Sequence, residues 1–255
     1  MTAGRESLAD IRRQLEQAGE EAWPELLERY APDERGGVQK LLEGLRRKMA
    51  RLAAERERLQ GMLAYERRYA GQVVCGIDEA GRGPLAGPVA AAAVILPQDC
   101  EILWLNDSKK LTPARREALF DEIMDKAVSV GVGLASPARI DEINILQADY
   151  EAMREAVSQL SPAPQVLLND AVTIPGLAQQ QVPIIKGDAK SLSIAAASVI
   201  AKVTRDRMMM IYDEMYPEYG FAAHKGYGSA AHIEALKKYG PCPIHRRSFI
   251  GHFVS

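Results

Sequence analysis

Two neighbouring carboxylates, Asp78 and Glu79, close an apolar run at residues 73–77 and lead into a stretch holding Gly81, Gly83 and Gly87. A buried strand that delivers two acids into a turn cannot leave both dry. An unpaired carboxylate in an apolar setting is costly, so water, a cationic partner or a metal ion is required, and metal is the reading that uses both. Asp170 follows a second apolar run at 165–168, and Asp188 follows a third at 182–185. If those strands are neighbours in one sheet, the four carboxylates converge. An oxygen-rich cluster with open positions suits Mg²⁺ or Mn²⁺ rather than zinc. Two such ions about 4 Å apart would activate a water on one side of a phosphodiester and stabilise the leaving 3′-oxygen on the other. Taken singly, each acid reads as well as a solvated turn former or a helix cap, Asp188 above all. Their joint placement favours chemistry.

The elements that must position these acids follow from periodicity. Buried strands are expected at 73–77, 89–96, 128–134, 165–168 and 182–185, separated by helical stretches, which together give a three-layer α/β domain. Thr112-Pro113 has the chemistry of a helix start, with the helix running to about Lys126; further helices are expected at 150–160 and 191–215. In the last of these, Ala195, Ala196, Ala197, Ser198 and Ala201 are small enough to let the helix approach the sheet closely. Residues 1–70 have another texture. Val38, Leu42, Leu45, Met49, Leu52, Leu59 and Leu63 recur at steps of four and three, broken only by Arg56, so one long helix is expected at 37–69. The spacing predicts an N-terminal helical extension over 1–70 and a catalytic domain with a C-terminal helical segment over 71–255.

Composition sets the outer limits. A formal charge of −2 and a pI near 6.1 argue against nucleic acid as a partner, but a site that gathers carboxylates lowers the sum while leaving basic patches intact. Cys75, Cys100 and Cys242 are odd in number and lack paired spacing, which points to buried free thiols rather than disulfides or zinc. His224, His232, His245 and His252 lack metal-ligand spacing and read as surface or hydrogen-bonded side chains. With no long apolar run and no signal-peptide pattern at the start, no membrane association and a cytoplasmic location are expected.

The stretch Gly76-Ile77-Asp78-Glu79-Ala80-Gly81-Arg82-Gly83-Pro84-Leu85-Ala86-Gly87-Pro88-Val89 closely resembles the signature of type 2 ribonucleases H, the bacterial ribonuclease HII group in particular. Asn106-Asp107-Ser108-Lys109-Lys110-Leu111, Lys186-Gly187-Asp188-Ala189-Lys190-Ser191, Ala201-Lys202-Val203-Thr204-Arg205-Asp206 and Lys225-Gly226-Tyr227-Gly228 match in the same order, so the resemblance covers about residues 71–250. It implies an RNase H-like three-layer fold with a mixed central sheet. It also implies Mg²⁺ or Mn²⁺ as cofactor, and RNA–DNA hybrids and DNA duplexes containing ribonucleotides as partners. Cleavage would fall on the RNA strand and 5′ of a single ribonucleotide, leaving a 3′-hydroxyl and a 5′-phosphate.

By the same resemblance, Asp78, Glu79, Asp170 and Asp188 would be the catalytic, metal-binding acids. Gly81, Arg82 and Gly83 would recognise the 2′-hydroxyl, and Tyr227 would help to position the substrate. Lys109, Lys110, Lys186, Lys190, Lys202 and Arg205 are candidate phosphate contacts, with Lys109 and Lys190 the first choices. Asn169 departs from the expected small apolar residue before Asp170, and either faces the site or caps the turn. The alternatives are a ribonuclease HIII-like enzyme of longer hybrids and a hybrid-binding module without catalysis. A monomer without an obligate protein partner is expected, with residues 1–70 serving stability.

Overall fold

Alternation along Val74–Ala80 (β1) settles the layering. The computed structural model describes residues 6–254. Cys75 and Ile77 join one apolar cluster, while Ala80 packs against the other, as expected for side chains that alternate across a sheet. β1 is the centre of a five-stranded sheet of order β3-β2-β1-β4-β5. Val89–Ile95 (β2) and Ser129–Ala135 (β3) continue from it antiparallel, whereas Val166–Asp170 (β4) and Gln180–Ile184 (β5) run parallel. The sheet is therefore mixed, and with helices on both faces it forms the three layers expected.

One face carries the helix Leu192–Met215 (α8) and the helix Pro113–Lys126 (α5), whose Leu119 and Ile123 join Ala92, Val94, Ala195, Val199 and Ile200 in one cluster. Thr112 caps α5 by accepting from the Arg115 amide, with Pro113 in the first turn. The other face carries Pro137–Ile143 (α6) and Ile145–Ser158 (α7), which bury Ile140, Ala148, Ala152, Met153 and Ala156 against Ile77, Ala91 and Ala93. α7 begins five residues before the expected 150, because the Asn144 side chain caps it by accepting from the Leu146 and Gln147 amides.

Close approach on both faces depends on missing side chains. A Cβ at Gly133 would sit 1.9 Å from the Ala152 carbonyl oxygen of α7, and one at Gly76 only 2.1 Å from the Ser193 carbonyl carbon of α8. Seated so near, α7 also serves the edge of β3. The Gln159 side chain accepts from the Val132 amide and donates to its carbonyl, and Glu155 accepts from the Leu134 amide. Because the backbone at Ser193 cannot yield, Gly76→Ala is expected to cost about 3 kcal/mol, read as a melting temperature lower by about 6 to 12 °C. A wild-type melting temperature would show that α8 does not rest on β1.

Two expectations about the elements need correction. Residues 182–185 do not form a buried strand: β5 is an edge strand in which only Ile184 is buried, and Ile185 beyond it is 74% exposed. The long helix expected at 37–69 ends earlier. Gly36–Met62 (α3) is followed by a separate turn, Ala64–Arg67 (α4), after Leu63 leaves helical geometry with ψ at 0°.

The chain divides into two compact units, one ending at Arg58 and the other beginning at Leu59. In the first, Leu8–Gln17 (α1), Trp23–Tyr30 (α2) and the start of α3 enclose Ile11, Leu15, Trp23, Tyr30, Val38, Leu42 and Leu45. In the second, Leu59, Met62 and Leu63 join the α8-side cluster, and the remaining helices are Phe221–His224 (α9), Ala230–Tyr239 (α10) and Arg247–Ile250 (α11). All three cysteines are buried free thiols. No described helix is long and apolar enough to cross a membrane.

Candidate active site

The parallel pairing of β1 with β4 sets the site. The ladder ends at Ile77 opposite Asn169, so the next residues, Asp78 and Asp170, emerge side by side. Asp188 arrives differently, not at the end of β5 but in the helical turn Gly187–Ala189 that precedes α8. The Gly187 amide donates to Asp170 Oδ1 at 2.7 Å and ties that turn to β4. Glu66 of α4 secures the start of α8, its Oε1 accepting from the hydroxyls of Ser191 and Ser193 and from the Ser193 amide. All four predicted acids thus lie at one end of the sheet.

β1 extends through Ala80, so Asp78 and Glu79 are strand residues rather than turn residues, and they alternate across the sheet. Asp78 faces α8, where the Ser198 hydroxyl is one of its hydrogen-bond partners, and the Glu79 amide donates to its Oδ1 at 2.8 Å. Burial first, then the charges of Glu79 and Asp170, hold the Asp78 carboxyl well above its ordinary range. Glu79 is also raised, mainly by burial and against the pull of Arg82, and it feels both Asp170 and Lys109. Asp188 is raised by burial and by Asp107 and Asp170. Lys109 stands among Asp78, Asp107, Asp188 and Glu79, whose charges raise its own pKa against the effect of burial.

On the α7 side lies an acid that the sequence reading missed. Asp149 is 0% exposed, and neither of its oxygens accepts a hydrogen bond among the described residues. Its carboxyl is pushed up to about 8 by burial and the nearby Glu79, against Arg82. The Arg82 guanidinium stands between the two acids, Nε at 3.5 Å from Asp149 Oδ2 and one terminal nitrogen at 3.7 Å from Glu79 Oε1. The signal was present: Asp149 falls in the same helical stripe as Ala152, Met153 and Ala156, the face that α7 buries.

The glycine-rich turn after β1 is fixed from beneath by two buried arginines. Arg246 donates to the carbonyls of Gly81, Arg82 and Gly87 at 2.6, 2.9 and 2.9 Å. Arg205 donates to those of Ala86, Pro88 and Lys225 at 2.9 to 3.0 Å. Gly81, at φ +97°, could not carry a side chain, since a Cβ would meet the Arg205 side chain at 2.1 Å. Gly83 is different: its Cβ would meet only Tyr227, at 3.9 Å. The fold therefore does not demand glycine there, and the gap opens on a ring that is 47% exposed. The Tyr227 carbonyl is held by His232 at 2.8 Å, and His232 in turn touches His245 at 3.0 Å and stacks on His224.

Of the expected phosphate contacts, Lys109, Lys110, Lys186 and Lys190 are exposed, as is Arg82 of the glycine-rich element. Lys202 is half-buried and paired with Asp206 at 2.7 Å. Arg205 requires correction: it is fully buried, and the backbone carbonyls occupy its nitrogens, so it does not reach a phosphate. Of the two readings of Asn169 the structure bears out the turn cap, since its amide donates to the Val172 carbonyl and the Gln181 side chain and braces the turn after β4.

As they stand, no three His, Cys, Asp or Glu side chains among the described residues are set to hold a metal ion. The donor set nevertheless fits a hard divalent cation. It is all oxygen, it gathers at one end of the sheet, and the charge of Asp170 helps to raise the carboxyls of Asp78, Glu79 and Asp188, which is the repulsion a cation relieves.

Comparison with known proteins agrees with the geometry. The family described as Ribonuclease HII matches residues 75–252, and that of the Ribonuclease HII N-terminal domain matches residues 7–70. A Ribonuclease HII from Lachnoclostridium phytofermentans is 59% identical over 97% of this chain and 98% of its own. One from Bacillus licheniformis is 53% identical over 95% and 96%. Among solved structures, ribonuclease H2 from Pyrococcus horikoshii OT3 superposes with a TM-score of 0.58 at 34% identity, covering 69% of this chain and 92% of that one.

Proposed function

The chain belongs to the ribonuclease HII family, metal-dependent ribonucleases H of type 2 that act on RNA–DNA hybrids, and from that premise we propose how it selects and cuts its substrate. It hydrolyses the RNA strand of hybrids and cuts 5′ of a single ribonucleotide embedded in duplex DNA, leaving a 3′-hydroxyl and a 5′-phosphate. It does so as a monomer without an obligate protein partner. The observation that carries this reading is the pairing of β1 with β4, which sets Asp78 beside Asp170 with Asp188 tied to them through Gly187.

Asp78, Glu79, Asp170 and Asp188 would hold Mg²⁺ or Mn²⁺. When bound, the cation supplies a polarised water and neutralises charge building on the phosphate. Lys109 balances the acids until substrate arrives and then pairs with the scissile phosphate, while the exposed Lys190 meets the backbone nearby. The exposed Gly83 and the Tyr227 ring face each other with room between them, and the sugar of a ribonucleotide would lie there. There the 2′-hydroxyl is the group that separates RNA from DNA. Arg246 fixes the Gly81 and Arg82 carbonyls, so the backbone of the turn is held in place to meet that hydroxyl.

A DNA duplex with one embedded ribonucleotide tests the proposal, incubated with Mg²⁺, with Mn²⁺ or with EDTA. Cutting immediately 5′ of the ribonucleotide, abolished by EDTA, is the expected result. Cutting confined to long hybrids would transfer the chain to a ribonuclease HIII-like specificity, and tight binding without cleavage would overturn the catalytic reading.

A further inference from the structure

A buried carboxylate that accepts no hydrogen bond is an expensive feature, and α7 would pack as well with a neutral residue at that position. Asp149 is such a group, and its sole cationic neighbour among the described ion pairs is Arg82. The Arg82 side chain is 42% exposed, so the guanidinium spans from the buried acid to the surface on which the substrate would lie. Its backbone is already fixed, since Arg246 holds the Arg82 carbonyl at 2.9 Å. What remains to be set is the side chain, and two acids compete for it: Asp149 at 3.5 Å and Glu79 at 3.7 Å. Without Asp149, Glu79 would hold the guanidinium alone, and Arg82 would swing across the opening beside Gly83.

We propose that Asp149 in its ionised form is a positioning residue for ribonucleotide selection: it draws the Arg82 guanidinium away from Glu79 and anchors it against α7, so that Arg82 flanks the ribonucleotide without covering the catalytic acid. This rests on the reading of the site as that of a ribonucleotide-cutting enzyme. Two other roles for Asp149 give different signs. If it acted only through its charge, its removal would strengthen the attraction for any polyanionic duplex, ribonucleotide or not. If it served only packing, its effects would be independent of Arg82 and would show in thermal stability.

The experiment compares wild type, Asp149→Asn, Arg82→Gln and the double variant. The KM for a duplex with one embedded ribonucleotide is set against the Ki of the matched all-DNA duplex as competitor, and melting temperature is recorded for each protein. Asp149→Asn is expected to lower the Ki to KM ratio by about fivefold, with KM affected more than kcat, Arg82→Gln to do the same, and the double variant to do no more than either. Melting temperature is expected to hold or rise in Asp149→Asn, and Asp149→Ser repeats the comparison should the Asn variant not fold. Multiplying effects in the double variant, an unchanged ratio, or equal tightening toward both duplexes would each overturn the proposal. Wild-type protein that cuts neither the embedded ribonucleotide nor a hybrid would instead sink the nuclease reading on which it rests.

Discussion

Asp78→Asn should abolish cleavage while making the metal-free protein more stable. Asn keeps the oxygen that accepts from the Glu79 amide and fits the same space, so that hydrogen bond is retained. It removes a charge that burial and the neighbouring Glu79 and Asp170 make costly, and neutral replacement of such groups is often worth about 1 kcal/mol or more. Activity moves the other way, by about a thousandfold or more, because a preorganised charge at the reacting phosphate is lost. pH adds a further signature. The folded-state pKa of Asp78 lies above its ordinary 3.8, so the folded chain keeps this proton longer than the unfolded chain. The contribution of Asp78 to metal-free stability is therefore full below the unfolded value and is lost as pH rises through the folded one, and Asp78→Asn should remove that part of the pH dependence. Thermal melts in EDTA across the pH range, paired with cleavage assays in Mg²⁺, check both halves. A variant that loses activity and melting temperature together would make Asp78 a structural acid.

Arg246→Lys should be almost as damaging as Arg246→Met, despite preserving charge. The guanidinium serves three carbonyls on one turn from three directions, whereas an ammonium is a single point on a flexible stem and cannot reach all of them. Burial, with the charge of Arg205 beside it, pushes the Arg246 pKa down to about 9, so holding the charge there is costly and the return lies in the three hydrogen bonds. The loss comes from orphaned buried carbonyls, each costing roughly 1 to 3 kcal/mol, for a total of about 4 kcal/mol. In a unit of this size that corresponds to a melting temperature lower by about 10 °C. Hydrogen exchange should localise the damage to residues 81–88, and wild-type protection there in Arg246→Lys would contradict the account.

The four candidate acids were legible because each comes at or just after an apolar run, although the structure places Asp78 and Glu79 within β1 and Asp188 in the turn before α8. The central position of β1 and its pairing with β4 come from the structure, since the fully buried β2 is the more apolar run and the sequence left open which strands are neighbours. Arg205 and Arg246 were not legible, because a basic residue looks the same in sequence whether it meets a phosphate or a carbonyl. The carbonyls they hold lie more than a hundred residues away, apart from that of Lys225. Asp149 was hidden for another reason. The helical stripe it shares with Ala152, Met153 and Ala156 marks it as buried, but does not show that the side chain it meets there is Arg82. β5 was misread as buried because an apolar run does not reveal whether a strand lies at the middle of a sheet or at its edge.

The side chains of α7 that reach β3 also bear on how the protein behaves in a crowded solution. An open strand edge is a template on which a second chain, folded or not, can continue the sheet. Here Gln159 and Glu155 fill the outward ladder positions of Val132 and Leu134, standing where a sixth strand would dock. At the opposite margin Pro183 interrupts β5 with a residue that has no amide proton to offer. Both margins are thus blunted by residues that do no chemistry, and a chain accumulating to high concentration is kept from polymerising through its own sheet.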